Sequence, residues 1–172
     1  MLPRQVVSHA QLVKEGLAPA EIANLSAALK IFPTPFKGIY YVPSEEERAG
    51  WFMDDPIRVL TLAIALFLSS GKFYYSCATA EEAVGISWRP SGEIHIVNEK
   101  VSLKRDIGGR IARNLGKGTF RSGKIGRLLS FYGRKIVFHK VGSIGDAKIR
   151  RTPRGSFALR SQIRADRKRF RE

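Results

Sequence analysis

The stretch DDPIRVLTLAIALFLSSG, residues 54–71, constrains the fold more than any other part of the chain. It carries about a dozen apolar residues between Arg58 and Ser69, short of the ~20 needed to cross a bilayer. A segment apolar on nearly every side must instead be enclosed by the rest of the chain. It therefore predicts a buried helix from Ile57 to about Leu68, opened by Asp54 or Asp55 before Pro56 and stopped by Gly71. With 172 residues, 44% of them hydrophobic, the chain has enough material for one ordinary domain or two small ones around that helix.

Upstream, Ser8 is placed to cap a helix over HAQLVKEG, which Gly16 ends. APAEIANLSAALK predicts a second helix with Pro19 in its first turn, burying Ile22, Leu25, Ala28 and Leu29 and leaving Glu21, Asn24, Ser26 and Lys30 in solvent. KIF and KGIYYVP, separated by Pro33, Thr34 and Pro35, predict a short hairpin followed by the acidic run Glu45, Glu46, Glu47. Helix, glycine turn, helix, hairpin is a winged-helix order. Downstream, KFYYS, GEIHIVN, KIVFHKV and AKIRR predict strands, and ATAEEAV a helix capped by Ser76 or Thr79 and ended by Gly85. Two further helices are expected over DIGGRIARNL and from Ser122 through GKIGRLLSFYG, and a terminal one over SFALRSQIRADRKRF. The resulting fold class is α+β: an N-terminal winged helix-turn-helix at residues 1–50, then a small basic α/β domain at residues 51–172 ending in an amphipathic helix.

The charge is unevenly distributed. Residues 1–50 hold five cations (Arg4, Lys14, Lys30, Lys37, Arg48) and five acids (Glu15, Glu21, Glu45, Glu46, Glu47), a balance of zero, although the chain as a whole carries +15. From residue 100 onward, 22 Lys and Arg face Asp106, Asp146, Asp166 and Glu172, giving +18. Such a concentration is the electrostatic signature of a polyanion binder. Arg exceeds Lys by 18 to 12, which favours bidentate phosphate contacts over simple solubilisation. On the terminal helix Arg160, Arg164, Arg167, Lys168 and Arg171 fall on one stripe, and Leu159, Ile163 and Phe170 on an apolar one. Arg121, Lys124, Arg127, Arg134 and Lys135 extend the predicted surface. In the first domain Asn24, Ser26 and Lys30, with Lys37 on the wing, are the candidate base readers. Because the first fifty residues are neutral, they suit a DNA-reading winged helix and a protein-docking one alike.

Reactive constellations are sparse. His9, His95 and His139 have no partner at a metal-ligand spacing, and the lone Cys77 has no nearby histidine and cannot form an internal disulfide. GTFRSGKI, residues 118–125, matches a phosphate-loop pattern except that Ile125 stands where magnesium needs a hydroxyl. Asp146-Ala147-Lys148 has the spacing of some metal-dependent nucleases but lacks a partner carboxylate. The expectation is a protein that is not an enzyme and uses no metal or cofactor, with a metal-dependent nuclease as the remote alternative. Arg4 is not followed by an apolar leader core, so the expected location is the cytoplasm, without a membrane partner.

At FYYSCATAEEAVGI, residues 73–86, the chain resembles the AbiEi-type antitoxins of toxin–antitoxin systems and the archaeal winged-helix regulators similar to them. In that family a wing reading G-(I/V)-Y-x-x-P precedes a strand and helix reading roughly Y-Y-x-S-x-x-x-A-x-x-x-x-G. Here those are Gly38, Ile39, Tyr40 and Pro43, then Tyr74, Tyr75, Ser76, Ala80 and Gly85, with EIHIVNEK following. The resemblance covers about residues 8–100; the family's usual closing segment, a serine- or proline-led stretch with an acidic residue before a Leu-Leu-Asp-like helix, is at most echoed by TPRGSFALRSQIRAD, a departure from the family's pattern. The resemblance implies a DNA-binding transcriptional regulator: operator binding by the first domain, with duplex DNA as the nucleic-acid partner, and an antitoxic or partner-binding second domain facing a toxin or other protein. The alternative is an RNA-associated or complex-assembly factor whose winged helix docks protein.

Overall fold

The computed structural model describes residues 5–50, 52–106 and 134–171. Of the helix expected over 106–115, Asp106 is the end of a strand and the rest lies outside the described residues, as do the helix expected over 122–133, the loop GTFRSGKI, and the candidate contacts Arg121, Lys124 and Arg127. The chain is mixed α+β and divides into two compact units, the first taking the described residues through Ser69 and the second those from Ser70 onward.

In the first unit, β1 (Val6–Ser8) leads into α1 (His9–Lys14), α2 (Pro19–Ala27), β2 (Phe32–Pro33), β3 (Ile39–Tyr41), α3 (Glu45–Gly50) and α4 (Pro56–Leu68). Ser8 caps α1 in a reciprocal box with Gln11: the Gln11 N–H donates to Ser8 Oγ at 3.2 Å, and the Ser8 N–H to Gln11 Oε1 at 2.8 Å. Gly16, at φ 96°, closes α1 by turning the Leu17 N–H back to the Leu12 carbonyl. The same geometry ends α2 early. Leu29 takes φ 55° and the Lys30 N–H returns to the Leu25 carbonyl at 2.9 Å, so Lys30 sits beyond the helix rather than on it, a correction to the sequence-based span. β3 pairs antiparallel with both β1 and β2. β1 was not expected, since three residues carry no periodicity and only pairing with β3 makes them a strand.

Val7, Leu12, Ile22 and Ile31 form one core of this unit. On the other side, Val59, Leu60, Ala63 and Ile64 of α4 are buried, with α4 packed on β1 and β3 and Phe67 stacked on Phe36 at 4.6 Å between ring centres. The apolar helix therefore belongs to the first unit, whereas the sequence reading assigned it to the second domain. Asp55 caps it through the Arg58 N–H, and it ends at Ser69, φ 47°, rather than at Gly71. After β3, Ser44 and Glu47 make a second capping box, and Glu47 also accepts from the Asp54 N–H at 3.0 Å. Glu47 is buried while Glu45 and Glu46 are exposed. One of the three glutamates thus holds α3 in place.

The second unit is a six-stranded mixed sheet in the order β6 (Leu103–Asp106), β7 (Lys135–Lys140), β5 (Glu93–Asn98), β4 (Phe73–Ser76), β9 (Gly155–Ala158), β8 (Ile149–Thr152). The β5–β7 and β4–β9 pairs are parallel and the others antiparallel. Among the described residues two helices accompany it, α5 (Cys77–Ala83) and α6 (Arg160–Phe170). Register puts Phe73, Tyr75, Ile94, Ile96, Ile136, Phe138 and Phe157 on one face, all buried. The opposite face carries Tyr74, Ser76, His95, Val97 and His139; there Tyr74 and Val97 join Ala80 of α5 and Ile163 of α6 in a core. β6 and β9 were not expected. β9 takes residues that had been assigned to the terminal helix: Phe157 pairs with Tyr75 and stacks on its ring at 5.2 Å, so the helix begins at Arg160 rather than Ser156.

Candidate nucleic-acid interface

The cationic helix α6 is positioned by a buried polar anchor. Asp166, 2% exposed, accepts hydrogen bonds from Ser76 Oγ at 2.5 Å, Tyr74 Oη at 3.1 Å and Gln162 Nε2 at 2.8 Å. Ser76 stands at the N-cap of α5 but does not cap it; its hydroxyl is engaged by Asp166 instead, which corrects the capping expectation. Burial and the Asp166 carboxyl together raise the Tyr74 hydroxyl well above the ordinary tyrosine range. Ile163 is buried beside this anchor, and Phe170 stacks on His139 at 3.9 Å.

Beneath Phe170, His139 Nε2 lies 3.1 Å from His95 Nδ1, and the two rings are nearly parallel. The His95 backbone N–H donates to Thr79 Oγ1 at 2.8 Å. Burial, and then the neighbouring imidazole, pushes the His95 pKa down to about 4, while burial also lowers His139. Both rings are neutral at pH 7, one nitrogen donating to the other. Ser76 Oγ bonds Asp166 directly rather than an imidazole, and Ser76 is completely buried. That is the geometry of an anchor; a nucleophile needs a base on its hydroxyl and access to substrate.

Locking the inner side of α6 decides what its outer side presents. Asp166 is the one acidic residue between Arg160 and Phe170, and it points inward. Arg160, Arg164 and Lys168 are exposed on the outward side. Arg167, at the edge of the stripe, is half-buried and pairs with Glu81 of α5 at 2.9 Å. Arg134 likewise is half-buried and pairs with Glu82 at 3.1 Å, whereas Lys135 is exposed at the start of β7. Of the predicted cations, Arg160, Arg164 and Lys168 thus form one open face on α6; Arg171 is exposed just past the helix end at φ 56°, a correction to the predicted stripe, and Arg167 and Arg134 are engaged with carboxylates.

The β8–β9 hairpin adds a basic element absent from the sequence-based set. Lys148, Arg150, Arg151 and Arg154 are exposed along it, and no acid occurs between Ala147 and Ala165. Arg151 and Lys72 also line an open cleft of about 530 Å³ with Glu99 and Ser143. Absence of helical periodicity hid these residues, although the acid-free run was itself a readable signal.

In the first unit, Asn24 is exposed and Ser26 half-buried on α2, Lys30 is exposed just past it, and Lys37 is exposed in the β2–β3 connection before Gly38, φ 74°. Asp146, the D-x-K carboxylate, is exposed in a turn, and among the described residues no three His, Cys, Asp or Glu side chains are grouped to hold a metal ion. Cys77 is buried. No described helix is long and apolar enough to cross a membrane. No protein-family model, curated protein or solved structure matches this chain.

Proposed function

We propose that the protein is a non-enzymatic nucleic-acid-binding regulator whose second unit grips the phosphate backbone and whose first unit, a winged helix, reads duplex DNA. The observation that carries this reading is the polarity of α6: its one acid is turned inward onto Tyr74 and Ser76, leaving Arg160, Arg164 and Lys168 facing solvent together, with Arg171 exposed just past the helix end. Cations at this density repel one another, and phosphate relieves the repulsion while releasing counterions. The exposed arginines of the β8–β9 hairpin support the same reading.

The antiparallel β2–β3 hairpin following α1 and α2 supports a winged helix in the first unit, with α2 as the reading helix. The resemblance to the AbiEi-type antitoxins, carried by Gly38, Ile39, Tyr40, Pro43, Tyr74, Tyr75, Ser76, Ala80 and Gly85, belongs to the same proposal. A toxin partner remains part of that reading.

The test is competition between a selected duplex and random DNA. Replacing Arg160, Arg164, Lys168 and Arg171 by Gln should weaken binding to both by similar factors, because phosphate contacts carry no sequence information. Replacing Asn24 and Lys30 should instead narrow the gap between the two duplexes. If the α6 variant erases preference while the Asn24 and Lys30 variant retains it, the first unit is not the reader.

A further inference from the structure

Trp88 is 97% exposed on the loop that joins α5 to β5, whereas most other large apolar side chains among the described residues are enclosed. The loop is built to hold it there. Gly85, φ 73°, closes α5, and the Glu81 carbonyl accepts the Ile86 N–H at 2.8 Å and the Ser87 N–H at 3.3 Å. On the far side of Trp88, the Ser91 N–H donates to the Glu82 carboxylate, and the Gly92 carbonyl accepts the Lys135 N–H at 2.8 Å. Cations surround the same loop. Arg89 follows Trp88 and is exposed, Glu82 also binds Arg134, Lys135 is exposed beside Gly92, and Glu81 binds Arg167 of α6. Glu81 thus ties the loop to the edge of the α6 cationic face.

A fully exposed indole next to exposed Arg89, with the exposed apolar side chains Val84 and Ile86 before it and exposed Lys135 bonded to the far end of the loop, fits the flat face of a nucleobase: stacking supplies the contact and the exposed charges track the backbone. We infer that Trp88 is a stacking platform for an unpaired base of the nucleic acid bound along α6, so that the protein engages single-stranded segments or strand junctions. This inference rests on the nucleic-acid reading above and adds the state of the strand to it. Within a duplex both faces of a base are covered by its neighbours, so Trp88 discriminates paired from unpaired strands.

The probe is oligothymidylate, with its duplex with oligoadenylate as control, titrated into a Trp51→Phe protein in which Trp88 is the one remaining indole of the two in the chain. The expected result is strong quenching of indole emission by the single strand and little by the duplex. Trp88→Ala should bind oligothymidylate roughly tenfold more weakly with an unchanged salt slope, while Trp88→Phe keeps most of the affinity. Trp88 is solvent-exposed, so these variants leave the fold intact, which thermal unfolding verifies. Binding of oligothymidylate without quenching, and with equal affinity in Trp88→Ala, overturns the inference and leaves the phosphate-binding reading standing. Equal quenching by the duplex also overturns it. Failure of every oligonucleotide to bind at low salt removes the nucleic-acid reading itself, and the inference with it.

Discussion

Replacing Asp166 by Ala should destabilise the second unit by about 3–4 kcal/mol. The magnitude follows from three groups left behind. Ser76 is completely buried and its hydroxyl has Asp166 as its acceptor at 2.5 Å, so it becomes an orphan at a cost of roughly 1–3 kcal/mol. Tyr74 loses its acceptor at 3.1 Å, and Gln162, which donates to the Tyr74 oxygen at 3.3 Å, does not replace it, which adds about 1 kcal/mol. Gln162 is half-buried and can rehydrate. The vacated volume adds about 0.5 kcal/mol. For a domain of about 60–100 residues, 3 kcal/mol lowers the melting temperature by roughly 12–24 °C. Urea unfolding of the full chain is the assay, and Asp166→Asn, which retains one carbonyl acceptor, should cost only about 1–2 kcal/mol. In the Ser76→Ala/Asp166→Ala double variant the orphan disappears, so its cost should fall below the sum of the single costs by about 1–2 kcal/mol. The reasoning is refuted if Asp166→Ala unfolds within about 1 kcal/mol of the parent, or if the two single costs simply add.

Two other predictions concern acid and the first unit. His95 is held near pKa 4 by burial and by His139, against about 6.5 in an unfolded chain. Between those values the unfolded chain binds the extra proton, so stability declines as pH falls from about 6.5 towards 4, by at most about 3 kcal/mol. His95→Gln should flatten the urea midpoint over that window, and an unchanged slope would count against the buried pair. Glu47 lies below the usual carboxylate range: burial opposes this, but Tyr41 and the N–H groups of Asp54 and Ser44 outweigh it, even though the Tyr41 hydroxyl falls short of hydrogen-bond geometry. Its contribution is present near neutral pH and lost as pH falls through its folded pKa. Glu47→Ala should cost the first unit about 1–2 kcal/mol, read by urea unfolding at pH 7, and a neutral effect would contradict the capping role.

What was legible in the sequence was local. Ser8 and Asp55 act on N–H groups within three residues, and Gly16 and Gly85 supply the left-handed turn that ends a helix, so each could be read from its neighbours. The cations of α6 were readable for the same reason, because helical spacing alone puts Arg160, Arg164 and Lys168 on one side. Where distant partners decide, sequence reading failed. Val6–Ser8 is a strand because β3 lies beside it, and residues 156–158 are drawn out of the predicted helix by Tyr75 and by β8. Ser76 looked like a helix cap, but Asp166 lies ninety positions away and takes its hydroxyl. His95 and His139 meet across adjacent parallel strands, forty-four positions apart. Arg134 and Arg167 looked as open as their neighbours until α5 brought Glu82 and Glu81 to them.

The most direct test of the central claim is the salt dependence of duplex DNA binding, measured for the parent and for the variant with Arg160, Arg164, Lys168 and Arg171 replaced by Gln. Each phosphate contact contributes a slope of about −0.9 to the plot of log affinity against log salt. A cationic α6 face that binds phosphate should give the parent a steep negative slope, and the variant a slope shallower by roughly 3–4, with affinity reduced on every sequence tested. Parallel slopes for the two proteins, or parent binding that does not change with salt, would contradict the account, because the exposed cations of α6 would then not be where the nucleic acid binds.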